Sequence, residues 1–192
     1  MVVFPLEGQP VTYSASQCLA YGSTTPYLPV LALQRQRCGI TDGEVPLVIT
    51  AKVHQALREV EIPPAAGAPV LLRLLDVPGP LAPLASLSPE ALKVRTFAVL
   101  RRLSLPQQQP HVLVVENLHW IDRLSEEFCA SLIDRLTGVP LLLLVTYRPE
   151  YQPAWPAKSY VSHIALQPLT PQESLTLAHA ARETAPIPKA VM

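Results

Sequence analysis

The chain has 192 residues, with 15 Lys and Arg balanced by 15 Asp and Glu, 49% hydrophobic and 16% charged. That describes a globular protein with enough chain for one proper core, and it argues against a disordered one. With zero net charge and no Lys/Arg cluster longer than a pair, there is no electrostatic footprint for nucleic acid or an anionic membrane.

Cys18, Cys38 and Cys129 are widely spaced and odd in number, and no His/Cys spacing suits zinc. They are expected as small buried hydrophobes in a reducing compartment. The start, Met1 to Glu7, lacks the basic region and long apolar core of a signal peptide. The longest apolar runs, such as Pro140 to Val145, are far too short to cross a bilayer. The expectation is a cytoplasmic protein.

Met1 to Pro10 has no clear period and is expected to be irregular. Val11 to Leu19 is rich in β-formers and predicts a strand. Thr25-Pro26 offers a cap and a first-turn proline for a helix ending near Arg37, closed by Cys38-Gly39. Pro46 to Val60 carries Ile49, Val53, Leu57 and Val60 at helical spacing. Pro69 to Asp76 reads as a short leucine-rich turn or helix, and Gly79 to Leu87 as a loop. Ser88-Pro89-Glu90 opens a helix to about Leu105 with Leu92, Val99, Leu100 and Leu103 inward. Lys93, Arg95, Arg101 and Arg102 lie mostly outward, as a solvated helix face or a basic surface. Gln107 to Pro110 links to the next strand.

Val112 to Val115 is an unbroken apolar run that ends abruptly in Glu116 and Asn117, as expected of a strand covered on both faces. Ligands bind beyond the carboxyl ends of such strands, and a carboxylate there suits Mg2+ carried in on phosphates. Spacing alone leaves an equal alternative, in which Glu116 only ends a strand and starts a turn. Asp122 or Ser125 can cap a following helix to about Leu136, with Phe128, Leu132 and Leu136 buried and Gly138 as its stop. Pro140 to Thr146 reads as another buried strand, Tyr147 to Tyr160 as a proline-rich loop, and His163 to Gln167 as a short strand. Thr170-Pro-Gln-Glu173 matches a capping box before a last helix, ended by Pro186 and Pro188. Strands alternating with helices predict an α/β fold with a mostly parallel sheet.

The segment Leu113-Val-Val-Glu-Asn-Leu-His-Trp-Ile-Asp122, followed by Ser125-Glu126-Glu127, resembles the Walker B region of the signal-transduction ATPases with numerous domains. More narrowly, it is similar to the AAA-like ATPase domain found in bacterial proteins beside class III adenylate cyclase domains or regulatory kinase domains. Three further stretches fit that family in order: Tyr21-Gly-Ser-Thr-Thr-Pro-Tyr-Leu-Pro29, Val145-Thr-Tyr-Arg-Pro149 and Leu166-Gln-Pro-Leu-Thr-Pro-Gln-Glu-Ser174. The resemblance runs from about Val11 to about Ala180.

The resemblance implies a three-layer P-loop NTPase fold that binds ATP with Mg2+ and switches neighbouring regulatory domains or protein partners. It implies a partial nucleotide-binding core over residues 11–168, a remnant of the first helix before it and the start of a helical lid over residues 169–192. The phosphate cradle of such folds, Gly-x-x-x-x-Gly-Lys-Ser/Thr, does not occur, because none of the seven glycines precedes a lysine. In the family it lies just before the segment matching Leu6 to Tyr13. The expectation is therefore a copy shortened at both ends, lacking the first strand, which in relatives runs between those matching Pro140–Thr146 and His163–Gln167. Two strand edges would then lie unpaired or have to close a gap.

By the same resemblance, Glu116 orients Mg2+ through water. Asn117 takes the second acidic position near the attacking water, where an amide cannot accept a proton; a neutral turn residue is the equal alternative. Arg148 resembles the sensor arginine that reads the terminal phosphate through its planar fork, or is a surface arginine stacked on Tyr147 or Trp155. Trp120 is expected to pack. His119 is expected as a satisfied structural histidine or a residue shaping the site. Asp122 is expected to cap its helix rather than contact metal or water. Three functions follow as expectations: an ATP-binding or ATPase switch module, a non-enzymatic interaction module, or a degenerate fragment.

Overall fold

The computed structural model describes residues 2–6, 9–79, 82–105, 109–155 and 158–184. The chain divides into two compact units, 1–156 and 157–192, a boundary earlier than the expected one at Pro168.

The first unit is built on one sheet of order β1-β2-β3-β4. β2 (Gln9–Gln17), β3 (His111–Glu116) and β4 (Leu141–Val145) run parallel, with Gln17 opposite Glu116 and Val115 opposite Val145. β1 (Val2–Leu6) pairs antiparallel with the start of β2. Of the first ten residues, expected to be an irregular helix remnant, Val2–Leu6 therefore form a strand and residues 9–10 begin its neighbour. Beyond that hairpin the outer edge of β2 is met by a side chain. Gln36 Nε2 donates to the Ala15 carbonyl at 2.7 Å, and the Ala15 N–H donates to Gln36 Oε1 at 3.3 Å. A glutamine thus stands in for a strand neighbour and satisfies both backbone groups.

Four helices connect β2 to β3: α1 (Leu28–Arg37), α2 (Pro46–Glu59), α3 (Pro64–Leu74) and α4 (Pro89–Ser104). A fifth, α5 (Arg123–Ile133), connects β3 to β4. The amphipathic stripe of α2, Ile49, Val53, Ala56 and Leu57, is fully buried. It packs on α3 so closely that a Cβ on Gly67 would lie 2.7 Å from the Leu57 side chain. The expected start of α3 at Pro69 is corrected: the helix begins at Pro64, whose fixed φ suits a first turn, and Pro69 lies inside it. Burial of Val70, Leu71 and Leu72 overrides the interior proline.

α1 also begins later than expected. Tyr27, in the left-handed conformation at φ 63°, precedes Leu28, and Pro29 rather than Pro26 occupies its first turn. Its closure at Cys38-Gly39 stands, with Gly39 at φ 66°. Ser88 caps α4 by accepting the Ala91 N–H at 3.2 Å. The outward cations of α4 serve as tethers. Lys93 pairs with Glu127, Arg95 donates to the Ala66 carbonyl of α3, and Arg102 donates to the Val60 carbonyl and to Glu61.

The strand positions Leu113, Val115, Leu141, Leu143 and Val145 share one cluster with α1–α5. The pleat turns Val112, Val114, Leu142 and Leu144 to the other face. There Leu142 is 59% and Leu144 47% exposed. The expectation that Pro140 to Thr146 is a buried strand is thus corrected: its unbroken leucine run is covered on one face. Among the described residues no strand pairs with its outer edge.

In the second unit, α6 (Pro171–Thr184) starts with the expected capping box. Thr170 Oγ1 accepts the Glu173 N–H, and Glu173 Oε2 accepts the Thr170 N–H at 2.8 Å. The expected strand His163–Gln167 is absent, since these residues join no ladder and are all exposed. Pro186 and Pro188, expected to end α6, lie outside the described residues, as do Gln107 and Gln108 of the expected linker.

Candidate functional site

The carboxyl ends of β3 and β4 form one rim, and a threonine closes it. The Thr146 N–H donates to the Val115 carbonyl at 3.2 Å, its carbonyl accepts the Leu118 N–H at 2.8 Å, and its hydroxyl accepts the Asn117 N–H at 3.1 Å. The turn after β3 is therefore fastened to the turn after β4. From the other side, the Cys18 N–H at the end of β2 donates to the Glu116 carbonyl at 2.8 Å. Sequence reasoning gave Thr146 no part. The available signal was a hydroxyl residue placed directly after an apolar strand, where such side chains take up free backbone donors.

Glu116, Asn117 and Arg148 all lie at this rim. Glu116 ends β3 with an exposed side chain, on the face shared with Val112, Val114, Leu142 and Leu144. It has no ion pair or side-chain hydrogen bond among the described residues. Asn117 follows in the left-handed conformation, φ 56° and ψ 43°, which asparagine adopts more readily than most residues. Arg148 is exposed, and its guanidinium carbon lies 5.7 Å from the centre of the Trp120 ring. The stacking partner is thus Trp120, not Tyr147 or Trp155. Like Glu116, Arg148 has no ion pair or side-chain hydrogen bond among the described residues.

Trp120 sits in a short 3-10 turn, Leu118–Trp120, anchored by the fully buried Leu118. The His119 ring is 4.5 Å from the indole, tilted by 49°. Both His119 ring nitrogens are buried and lack a hydrogen-bond partner among the described residues. The expectation of a satisfied structural histidine is therefore corrected.

Asp122 behaves as a cap and more. Its Oδ1 accepts the Ser125 N–H at 2.9 Å, capping α5, and the Tyr27 N–H at 3.0 Å. One buried carboxylate thereby joins the first turn of α1 to that of α5. It brings together the stretches Tyr21–Pro29 and Leu113–Asp122, and it holds Tyr27 in its left-handed turn. The Tyr27, Phe97 and Phe128 rings stack edge to face behind it, at 6.3 and 5.7 Å. Glu126 fastens the loop that follows Arg148. It accepts the Tyr151 hydroxyl and, at 3.3 Å, the Ala154 N–H.

The thiols have no part in this rim. All three are free and buried. Burial and then the Asp122 charge push Cys18 up to about 12, and burial and then Cys18 push Cys129 up to about 12. Such thiols stay protonated and unreactive at neutral pH.

Among the described residues no group of three or more His, Cys, Asp or Glu is placed to hold a metal ion. A single free carboxylate at a strand end instead fits Mg2+ that arrives on phosphates and keeps its waters.

A protein of Rhizobium meliloti (strain 1021), named as uncharacterized, is 32% identical over 88 residues, which are 45% of this chain and 9% of that protein. The match thus spans less than a tenth of that relative's length. No family model matches the sequence. No solved structure matches it either. No helix among the described residues is long and apolar enough to cross a membrane.

Proposed function

We propose that the chain is the sheet portion of an ATP-responsive switch module in a bacterial multidomain regulator, one that binds the Mg2+-loaded triphosphate at its carboxyl rim. The observation that carries this reading is the placement of Glu116 and Arg148. They are an anion and a cation at the ends of adjacent parallel strands, without an ion pair or side-chain hydrogen bond among the described residues, on turns fastened to each other through Thr146. Bound Mg2+ would supply charge neutralisation on the phosphates. Glu116 would orient its water shell, and Arg148 would present its donors to the terminal phosphate.

The reading is of binding rather than turnover. Asn117 cannot take a proton from water, and these 192 residues hold no Gly-x-x-x-x-Gly-Lys motif. In a longer polypeptide the same module would bias neighbouring domains between two states, with nucleotide bound or absent.

Titration with a fluorescent ATP analogue, with and without Mg2+, tests the proposal. Binding strengthened by Mg2+ is expected, weakened roughly tenfold or more by Arg148→Ala, and made Mg2+-independent by Glu116→Gln. Absence of Mg2+-dependent binding at millimolar nucleotide refutes it.

The exposed Leu142 and Leu144 on the sheet face favour a second reading, a non-enzymatic interaction module. That module would fold cooperatively and ignore ATP.

A further inference from the structure

The contact between Arg148 and Trp120 carries a consequence for how the arginine is held. An exposed arginine has a long side chain with many rotamers, and fixing it on a bound anion costs conformational entropy. Here the guanidinium already lies over an aromatic ring 5.7 Å away. A ring contact engages the cation through its charge and face and spends none of its N–H donors. In agreement, the Arg148 guanidinium has no hydrogen bond or ion pair among the described residues. The ring is itself fixed. Trp120 packs against the core, and the turn that carries it is fastened to the turn before Arg148 by the two bonds from Asn117 and Leu118 to Thr146.

We propose that Trp120 is the positioning residue of the rim: it holds Arg148 extended along the ends of β3 and β4 with its N–H fork free for a phosphate group. This rests on the nucleotide reading above for the identity of the anion. The ring contact itself is independent of that reading. The aromatic ring, not apolar bulk, supplies the attraction. Trp120→Phe should therefore keep much of the effect, and Trp120→Leu should lose it.

The test uses the full chain with Trp155→Phe, so that Trp120 is its remaining indole, and tripolyphosphate as the probe. The first measurement needs no ligand: Arg148→Ala should shift Trp120 emission while thermal unfolding stays cooperative. The second is a double-mutant cycle on tripolyphosphate affinity, read by calorimetry because Trp120 itself is changed. Trp120→Leu should weaken binding about 2- to 5-fold when Arg148 is present and have no effect when it is alanine. Phe at 120 should restore at least half of that loss.

Emission unchanged by Arg148→Ala overturns the proposal whatever binds. A measurable affinity with an additive cycle also overturns it. A shifted emission with no tripolyphosphate binding defeats the nucleotide reading and, with it, the orienting role, while leaving the ring contact established. The two failures are therefore told apart.

Discussion

The junction around Asp122 and the rim around Glu116 belong to one short segment, yet the fold uses their carboxylates in opposite ways. Asp122 is 3% exposed, and one of its oxygens accepts two backbone N–H groups from elements far apart in sequence. Glu116 stands at the end of a strand, open to solvent and without a side-chain partner among the described residues. A carboxylate that holds the fold has one oxygen engaged by backbone donors and the other shut away from solvent. One that can meet a ligand keeps its acceptor capacity. The difference separates architecture from availability.

The largest effect is expected at the junction. Asp122→Ala removes the α5 cap and leaves the buried Tyr27 and Ser125 N–H groups without an acceptor. Loss of a cap and of a buried acceptor together should cost about 2 to 4 kcal/mol, seen as a lower urea midpoint with an unchanged slope. Asp122→Asn keeps an oxygen where Oδ1 lies and should lose clearly less. Equal losses for the two variants would mean that the charge, not the acceptor, holds the two helices.

An intermediate effect belongs to the amino end of the same strand. His111 is buried, with Nε2 3.1 Å from Ser14 Oγ, and burial first, then the Arg37 charge, hold its pKa below 6.5. The unfolded chain takes up the proton near the ordinary value, while the folded chain resists it. The associated stability is therefore fully present above pH 6.5 and is lost as pH falls from there through the lowered folded pKa. The slope cannot exceed about 1.4 kcal/mol per pH unit for one proton. Urea midpoints between pH 7.5 and 5.5 should fall in the wild type and fall less in His111→Gln. Parallel curves would show that another group carries the acid loss.

The same contrast explains how much the sequence disclosed. The helix around Ile49, Val53 and Leu57, the strand ending in Glu116, the Ser88 and Asp122 caps and the Thr170–Glu173 box were legible, because each depends on local periodicity or on a side chain bonding its own turn. What stayed hidden depends on distant partners. Nothing local to Asp122 signals that Tyr27 will donate to it, and nothing local to Thr146 signals that the turn after β3 will bind it. Val2–Leu6 pairs as a strand without a clear period of its own. His163–Gln167 has strand-like composition and joins no ladder. The run Leu141–Leu144 predicted a buried strand, and the fold covers one face of it. Trp120 was legible as a packing residue, but its contact with Arg148 comes only from the closing of two turns.

The smallest effect on stability should come from the rim, and that smallness is itself the test. Neither the Glu116 nor the Arg148 side chain hydrogen-bonds or ion-pairs with another described residue, so their removal leaves no buried donor or acceptor unpaired. Glu116→Gln should change unfolding free energy by no more than about 0.5 kcal/mol, and Arg148→Ala, which also gives up a ring contact, by no more than about 1 kcal/mol. The loss of the exposed Trp120 contact falls within the usual range for such a cation–π pair. If either variant destabilises the chain as much as Asp122→Ala does, that side chain belongs to the framework, and the distinction between the two carboxylates fails. If both stay within these limits in unfolding while Arg148→Ala weakens nucleotide binding as expected, the free energy withheld from folding at this rim is what remains for a ligand.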